Sequence, residues 1–159
     1  MNETKPFRRA HSAALRFLSY RARSKSEVRT RLRRRFPPPL VEQVLDALTE
    51  RSLINDVQFA NQWRETRTSV SPRSAWAIKR ELVAKGVDRD VATQAVADVD
   101  DEEGAYRAGL KHAGPLDKAD PTTFKRRLLG YLQRRGFADS VSRRTIDRLW
   151  NERIGTDLE

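Results

Sequence analysis

Two glycines 50 residues apart, Gly86 and Gly136, most constrain what this chain can fold into. Each follows a basic residue (Lys85, Arg135) and precedes an apolar one (Val87, Phe137). That order suits a left-handed helix C-cap. Glycine takes the positive φ at little steric cost, and the next side chain folds back onto the helix just ended. The spacing extends beyond the glycines. Ile78, Leu82, Val87, Val91 and Val96 recur as Leu128, Leu132, Phe137, Val141 and Ile146 at the same offset. Val28 and Leu32 precede Ile78 and Leu82 by 50 residues, whereas Phe36, Leu45 and Leu48 precede Val87, Val96 and Val99 by 51. One residue is therefore lost at the first turn, where Phe36 follows Arg35 without a glycine and Pro37, Pro38 and Pro39 start the next helix. A period of about 50 residues marks a repeat whose unit buries little by itself, so the units must stack.

Helical periodicity runs through almost every segment, and period-two alternation is nearly missing. Nine helices are expected, at about residues 10–22, 25–35, 38–51, 56–68, 72–85, 89–98, 102–113, 121–135 and 138–152. Ser24 with Glu27 forms a capping-box pattern, and Asn55 with Gln58 a weaker one. Ser71-Pro72 and Asp120-Pro121 each set a capping side chain before a proline at the first helical position. The expected fold is all-α: three tandem three-helix repeats forming an elongated, curved array of either hand. A disordered basic arm is assigned to residues 1–9, repeats to 10–51, 52–101 and 102–152, and a frayed tail to 153–159. Gly114 to Asp120 is the longest expected internal loop.

The 159 residues carry a net charge of +10, which favours polyanionic partners. Residues 1–51 hold 13 Lys/Arg against 5 Asp/Glu, residues 52–101 hold 7 against 8, and residues 102–159 hold 12 against 9. The ends are basic and the middle is nearly neutral. Cysteine is absent, which excludes a disulfide framework and thiolate metal sites and fits a reducing cytoplasm. The N-terminus lacks the apolar stretch of a secretory signal, and no apolar run is long enough for a membrane-spanning helix.

No catalytic set emerges, so the chain is expected to be a binding protein that needs no cofactor or metal. His11 and His112 lie about 100 residues apart and are read as exposed positions on helices. No phosphate-cradling glycine loop is present. Asp100, Asp101, Glu102 and Glu103 could hold magnesium, but acids at a helix start are better explained by its dipole. The basic clusters are more informative. The first holds Arg21, Arg23, Lys25, Arg29, Arg31, Arg33, Arg34 and Arg35. Lys25, Arg29 and Arg33 fall four apart, so they line one stripe of a helix whose Val28 and Leu32 face the core. The second holds Lys125, Arg126, Arg127, Arg134, Arg135, Arg143, Arg144 and Arg148. Forked guanidinium groups suit phosphates and carboxylates alike. Phe59, Trp63 and Trp150 are read as core, whereas Trp76 sits on a different part of its helix from Ile78.

Four stretches resemble the RecX regulators of the bacterial RecA recombinase. Residues Leu18 to Val28 are similar to that family's LxxRxxSxxEL opening. Leu53-Ile54-Asn55-Asp56-Val57-Gln58-Phe59-Ala60 is similar to its D-D-x-x-F-A helix start. Pro72-Arg73 with Ile78 to Val87 is similar to its I-x-x-E-L-x-x-K-G-I helix. Leu132 to Phe137 with Ile146 is similar to its closing L-x-R-R-G-F unit. Asn55 replaces the first of the family's paired acids, and Ser71 stands where glycine usually precedes the proline. Pro37-Pro38-Pro39 and Trp76 also depart from the pattern.

The resemblance implies three tandem three-helix repeats. It also implies a cytoplasmic, monomeric protein that lodges in the RecA filament on single-stranded DNA and lowers its ATPase, strand-exchange and co-protease activities. Direct binding to single- or double-stranded DNA occurs in some members. Two basic patches are expected to make the contacts. One holds Arg21, Arg23, Lys25, Arg29, Arg33 and Arg34, and the other Lys125, Arg126, Arg127, Arg143, Arg144 and Arg148, with the neutral middle repeat as spacer. A helix-turn-helix reader of duplex DNA is the alternative. It explains the charge but not three repeats in register.

Overall fold

The structure, a computed structural model, describes residues 3–70 and 72–158. Among these residues the chain is all-helical: α1 (Lys5–Tyr20), α2 (Lys25–Arg33), α3 (Pro38–Glu50), α4 (Asp56–Ser69), α5 (Ala75–Ala84), α6 (Arg89–Ala95), α7 (Asp101–Ala113), α8 (Pro121–Arg134) and α9 (Asp139–Thr156). A single 3-10 turn, Gly114–Leu116, opens the expected α7–α8 loop. The first three helices and the last three each pack as a set of three.

Both chain ends are more helical than expected. The first helix opens at Lys5, so residues 5–9 are helical where a disordered arm was assigned. The Thr4 hydroxyl accepts the Phe7 amide at 3.3 Å, and Pro6 stands in the first turn, where its missing N–H costs nothing. At the other end α9 runs to Thr156 because the Arg153 guanidinium donates to the carbonyls of Leu116 and Ala119, at 3.2 and 3.1 Å. The start of α5 is also corrected. It opens at Ala75, where the Ser74 hydroxyl accepts the Ala77 amide at 3.0 Å. The expected cap Ser71 lies outside the described residues.

The chain divides into two compact units. The first comprises residues up to Gln62 together with Glu81–Ala95, and the second comprises Trp63–Arg80 together with residues from Val96. The middle repeat therefore contributes to both. In the first unit α1, α2 and α3 pack together around Val28, Leu32, Val41, Val44, Leu45 and Leu48, with Ala10 and Ala14 supplying the close face of α1. Val28 and Leu32 do face this core. In the second unit α7, α8 and α9 enclose Phe124, Leu128, Leu132, Phe137, Ile146 and Leu149.

Within each unit the same joint ties one repeat's second helix to the next repeat's second helix. In the first unit the buried Ser24 hydroxyl accepts the Glu27 amide at 3.1 Å and donates to the Lys85 carbonyl at 2.6 Å. The Asp56 carboxylate accepts the Lys25 amide at 2.8 Å. Fifty residues on, the buried Ser74 caps α5 while its amide donates to the Arg135 carbonyl at 3.1 Å. The Asp101 carboxylate accepts the Ala75 amide at 2.9 Å. Both joints close on a glycine with positive φ, Gly86 at 81° and Gly136 at 92°. The Val87 and Phe137 amides then reach back to the Leu82 and Leu132 carbonyls, each at 3.1 Å. In the first repeat the Phe36 amide bonds the Leu32 carbonyl one residue earlier in the turn, at 3.0 Å. The missing glycine thus accounts for the missing residue.

Ser24→Ala removes both the cap and the bond to Lys85. It should cost about 1–2 kcal/mol, read as a lower urea midpoint. An unchanged midpoint would show that the joint is neutral in energy.

Candidate functional site

The twelve basic residues named above stand on α2 and its C-cap, on α8 and α9, and on the α1–α2 link, and the structure separates those with carboxylate partners from those without. In the first unit Glu42 on α3 receives Arg29 in a two-pronged contact, 2.8 and 3.3 Å, and lies 3.7 Å from Arg33. The Lys25–Arg29–Arg33 stripe is thereby partly neutralised. Arg29 holds the Glu42 carboxyl below its ordinary range, chiefly through the hydrogen bond. Glu27 is the second shared anion. Arg21 lies 3.2 Å from it, Arg23 3.8 Å and Lys85 3.4 Å. Its amide is capped by Ser24 as expected, but its carboxylate serves these three cations.

Arg23 is the most enclosed of the set. Its guanidinium sits 4.1 Å from the centre of the Phe17 ring. Burial first, and neighbouring Arg21 second, make its charged form harder to hold than usual. Arg34 makes no ion pair among the described residues.

In the second unit each paired cation has a carboxylate of its own. Arg143 meets Asp139 at 2.7 Å, Lys125 lies 4.0 Å from Asp147, and Arg144 bonds Glu102 of α7. Arg148 pairs with Glu152 at 3.0 Å and lies over the Tyr106 ring at 3.6 Å, while the Tyr106 hydroxyl donates to Glu152 at 2.8 Å. Arg126 and Arg127, both exposed, make no ion pair among the described residues. The structure brings α8 and α9 together, so Lys125 and the α9 arginines share a unit, but much of their charge is answered locally.

The acidic run 100–103 is engaged structurally. The Asp100 carboxylate accepts the Glu103 amide at 3.1 Å, Asp101 holds α5, and Glu102 holds Arg144. The histidines are half-buried rather than exposed. His112 stacks on Tyr131 with ring centres 3.9 Å apart, and burial lowers its affinity for a proton. Phe59 is core and Trp63 and Trp150 are half-buried, whereas Trp76 is 58% exposed with Arg80 over its ring at 4.7 Å.

Sequence reading missed two features of this surface. Glu42 lay outside every motif, and its role needs α3 laid against α2. The cations of α1 were hidden because residues 1–9 were assigned to an arm. Lys5, Arg8 and Arg9 in fact extend a helical face that continues to Arg16.

Known proteins share this organisation. Residues 10–48 match the first three-helix domain of RecX, and residues 55–96 match the second. The regulatory protein RecX of Amycolatopsis mediterranei is 36% identical over 140 residues, spanning 86% of this chain and 80% of that one. That of Corynebacterium efficiens is 38% identical over 150 residues, spanning 89% and 71%. The chain belongs to the RecX family of regulatory proteins. A crystal structure of RecX from Lactobacillus salivarius shares the fold, with a TM-score of 0.78 at 24% identity over 91% of this chain and 96% of that one. Among the described residues of this RecX chain, no helix is long and apolar enough to cross a membrane.

The Glu42 pair makes a pH-dependent contribution to this RecX fold. A carboxyl whose folded pKa is depressed stabilises the fold above its unfolded pKa, and that stability is lost as the pH falls through the folded value. Glu42→Gln should therefore weaken the fold at neutral pH by under about 1 kcal/mol, because the pair is largely exposed. The difference should shrink as the pH falls below about 4.3. Urea unfolding at neutral and acid pH checks this. A difference that persisted in acid would assign the effect to packing.

Proposed function

We propose that this chain is a negative modulator of the RecA recombinase. It binds the RecA filament on single-stranded DNA and lowers the filament's ATPase, strand-exchange and co-protease activities. Membership of the RecX family over most of the chain carries the reading. Basic groups on both units support it. A filament repeats along its axis and offers phosphates and carboxylates at each step. Two basic surfaces on one chain engage two such points and gain avidity without one strong site. The protein acts by binding, as a monomer.

The test is the single-stranded-DNA-dependent ATPase of the cognate recombinase, titrated with this protein at fixed salt. Inhibition at well below one regulator per recombinase is expected. No effect, alongside tight binding to one particular duplex, would favour a helix-turn-helix reader. Replacing Arg29, Arg33 and Arg34 together by Glu should raise the half-inhibitory concentration about tenfold with helicity intact. Unchanged inhibition would remove that patch from the contact.

A further inference from the structure

One cleft of the second unit has the opposite sign to this basic chain. Its volume is 440 Å³, and it lies where the ends of α7 and α9 meet the 3-10 turn. Its base is apolar. Phe124 and Leu149 lie buried there, Ala113 is half-buried, and Leu110 stands 52% exposed beside them. Its rim is acidic. Asp117 follows the turn, and Glu152 and Asp157 belong to the end of α9. Asp117 and Asp157 are exposed and make no ion pair among the described residues. Glu152 already accepts from Arg148 and Tyr106. The cation in the wall is Arg153, whose guanidinium is committed to the Leu116 and Ala119 carbonyls.

Two helices also end here. Ala113 closes α7 and Thr156 closes α9, and both line the cleft. The last carbonyls of a helix lack intrahelical partners and carry partial negative charge, which adds to the field of the carboxylates.

We infer that this cleft docks a cationic amphipathic helix of a separate protein partner. An apolar side chain of that helix rests against Phe124 and Leu149, and its lysine or arginine side chains reach Asp117 and Asp157. This ligand has the opposite charge to the polyanions of the proposed function, so the cleft stands apart from that reading.

Charge selects the occupant. A chain of net charge +10 repels a cationic segment over most of its surface, so a cleft of the other sign is where such a segment settles. Shape selects a helix. From Leu149 to Thr156 the wall formed by α9 runs about 10 Å at ~1.5 Å per residue, the length of roughly two turns of a docked helix. Two such turns present apolar side chains on one stripe with cations on its flanks. The acids suit that pattern, because they come from two elements around an apolar base rather than from one run of sequence.

The test uses the full chain and a fluorescein-labelled helical peptide of leucine and lysine, about 14 residues long with its leucines on one face, followed by anisotropy. Saturable binding is expected. Asp117→Asn with Asp157→Asn should weaken it about fivefold or more. Asp46→Asn with Glu50→Gln removes the same charge from exposed acids of α3, and should weaken it less than about twofold. Leu110→Gln should weaken binding about fivefold with the salt dependence unchanged.

Far-ultraviolet circular dichroism without peptide confirms that each variant is folded. Leu110→Ala replaces Leu110→Gln if it is not, and the single substitutions replace a pair that is not. Equal losses from the two acid pairs would reduce the effect to net charge and overturn the cleft. Equal binding by a peptide with alanine for every leucine would do the same, because the apolar base would then play no part. Competition by spermidine as effective, charge for charge, as the peptide would make this a site for small cations and overturn the docked helix. Sedimentation of the chain alone covers the remaining occupant. Self-association lost in Asp117→Asn with Asp157→Asn would assign the cleft to a second copy and overturn a separate partner. Neither recombinase nor DNA is present, so a failure here is separate from a failure of filament inhibition.

Discussion

Replacing Gly86 or Gly136 by alanine should each lower the stability of this protein by about 2–5 kcal/mol, summing the left-handed backbone and an overpacked joint. Both residues have positive φ, 81° and 92°. Any side chain placed there is strained whatever the space. The space is also missing. A β-carbon on Gly86 would come within 2.2 Å of the Ser26 β-carbon and hydroxyl, and one on Gly136 within 2.6 Å of the Ala77 β-carbon and the Ser74 hydroxyl. A β-carbon cannot rotate away, so the backbones of the two joined helices must part.

Gly155 is the control. It lies in the last turn of α9, where nothing beyond its own helix and chain neighbours comes within 4 Å of an added β-carbon, so Gly155→Ala should be neutral or slightly stabilising. Thermal and urea unfolding read all three. Adding Ser26→Gly to Gly86→Ala should recover the clash component and leave the backbone component, whereas Ala77→Gly should recover only part of the Gly136→Ala clash, since the Ser74 hydroxyl lies equally close. Strict additivity in those pairs would rule out the clash.

The second large effect is Phe124→Ala, expected to cost about 3–5 kcal/mol. Phe124 is fully enclosed by α7, α8 and α9, with its ring 5.2 Å from that of Trp150. The Arg153 guanidinium lies over both rings, at 5.4 and 5.0 Å, while donating to the Leu116 and Ala119 carbonyls. Losing the ring opens a cavity and loosens the support of Trp150, whose fluorescence should shift to longer wavelength as water reaches it. A variant as stable as the parent, with unshifted emission, would place the second unit's core elsewhere.

Filament inhibition separates these stability effects from function: Phe124→Ala acts on the core of the second unit, whereas charge reversal at Arg29, Arg33 and Arg34 should spare that core and weaken inhibition.

Much of this fold was legible in the sequence, and the reason is range. Ser24, Asp120 and the two glycines act on amides and carbonyls within a turn of themselves, so their order along the chain shows where α2, α8 and the C-caps must fall. The 50-residue echo of Leu82 in Leu132 and of Val87 in Phe137 exposes the repeat for the same reason. The exceptions are instructive. Pro6 and two arginines made the start of α1 look like an arm, although proline in a first turn and a Thr4 cap are ordinary helix starts. At α5 the capping serine proved to be Ser74, held by the Arg135 carbonyl of another repeat, which no local pattern near residue 72 reveals.

By itself, the sequence determined the number and order of the helices, the residues that face each core, the glycine-ended joints and the excess of positive charge. All of these follow from backbone conformation, helical period and composition. Only the tertiary structure decided which charges remain available. Arg29 meets Glu42 across 13 residues and Arg144 meets Glu102 across 42, distances over which sequence carries no pairing rule. Among the described residues the α1 arginines pair with no carboxylate, because α1 itself carries none and Glu27 of the neighbouring α2 is taken up by Arg21, Arg23 and Lys85. Coulomb attraction falls within a few ångströms of a partner, so the functional surface of a chain with 32 basic residues is set by which acids the fold brings within reach.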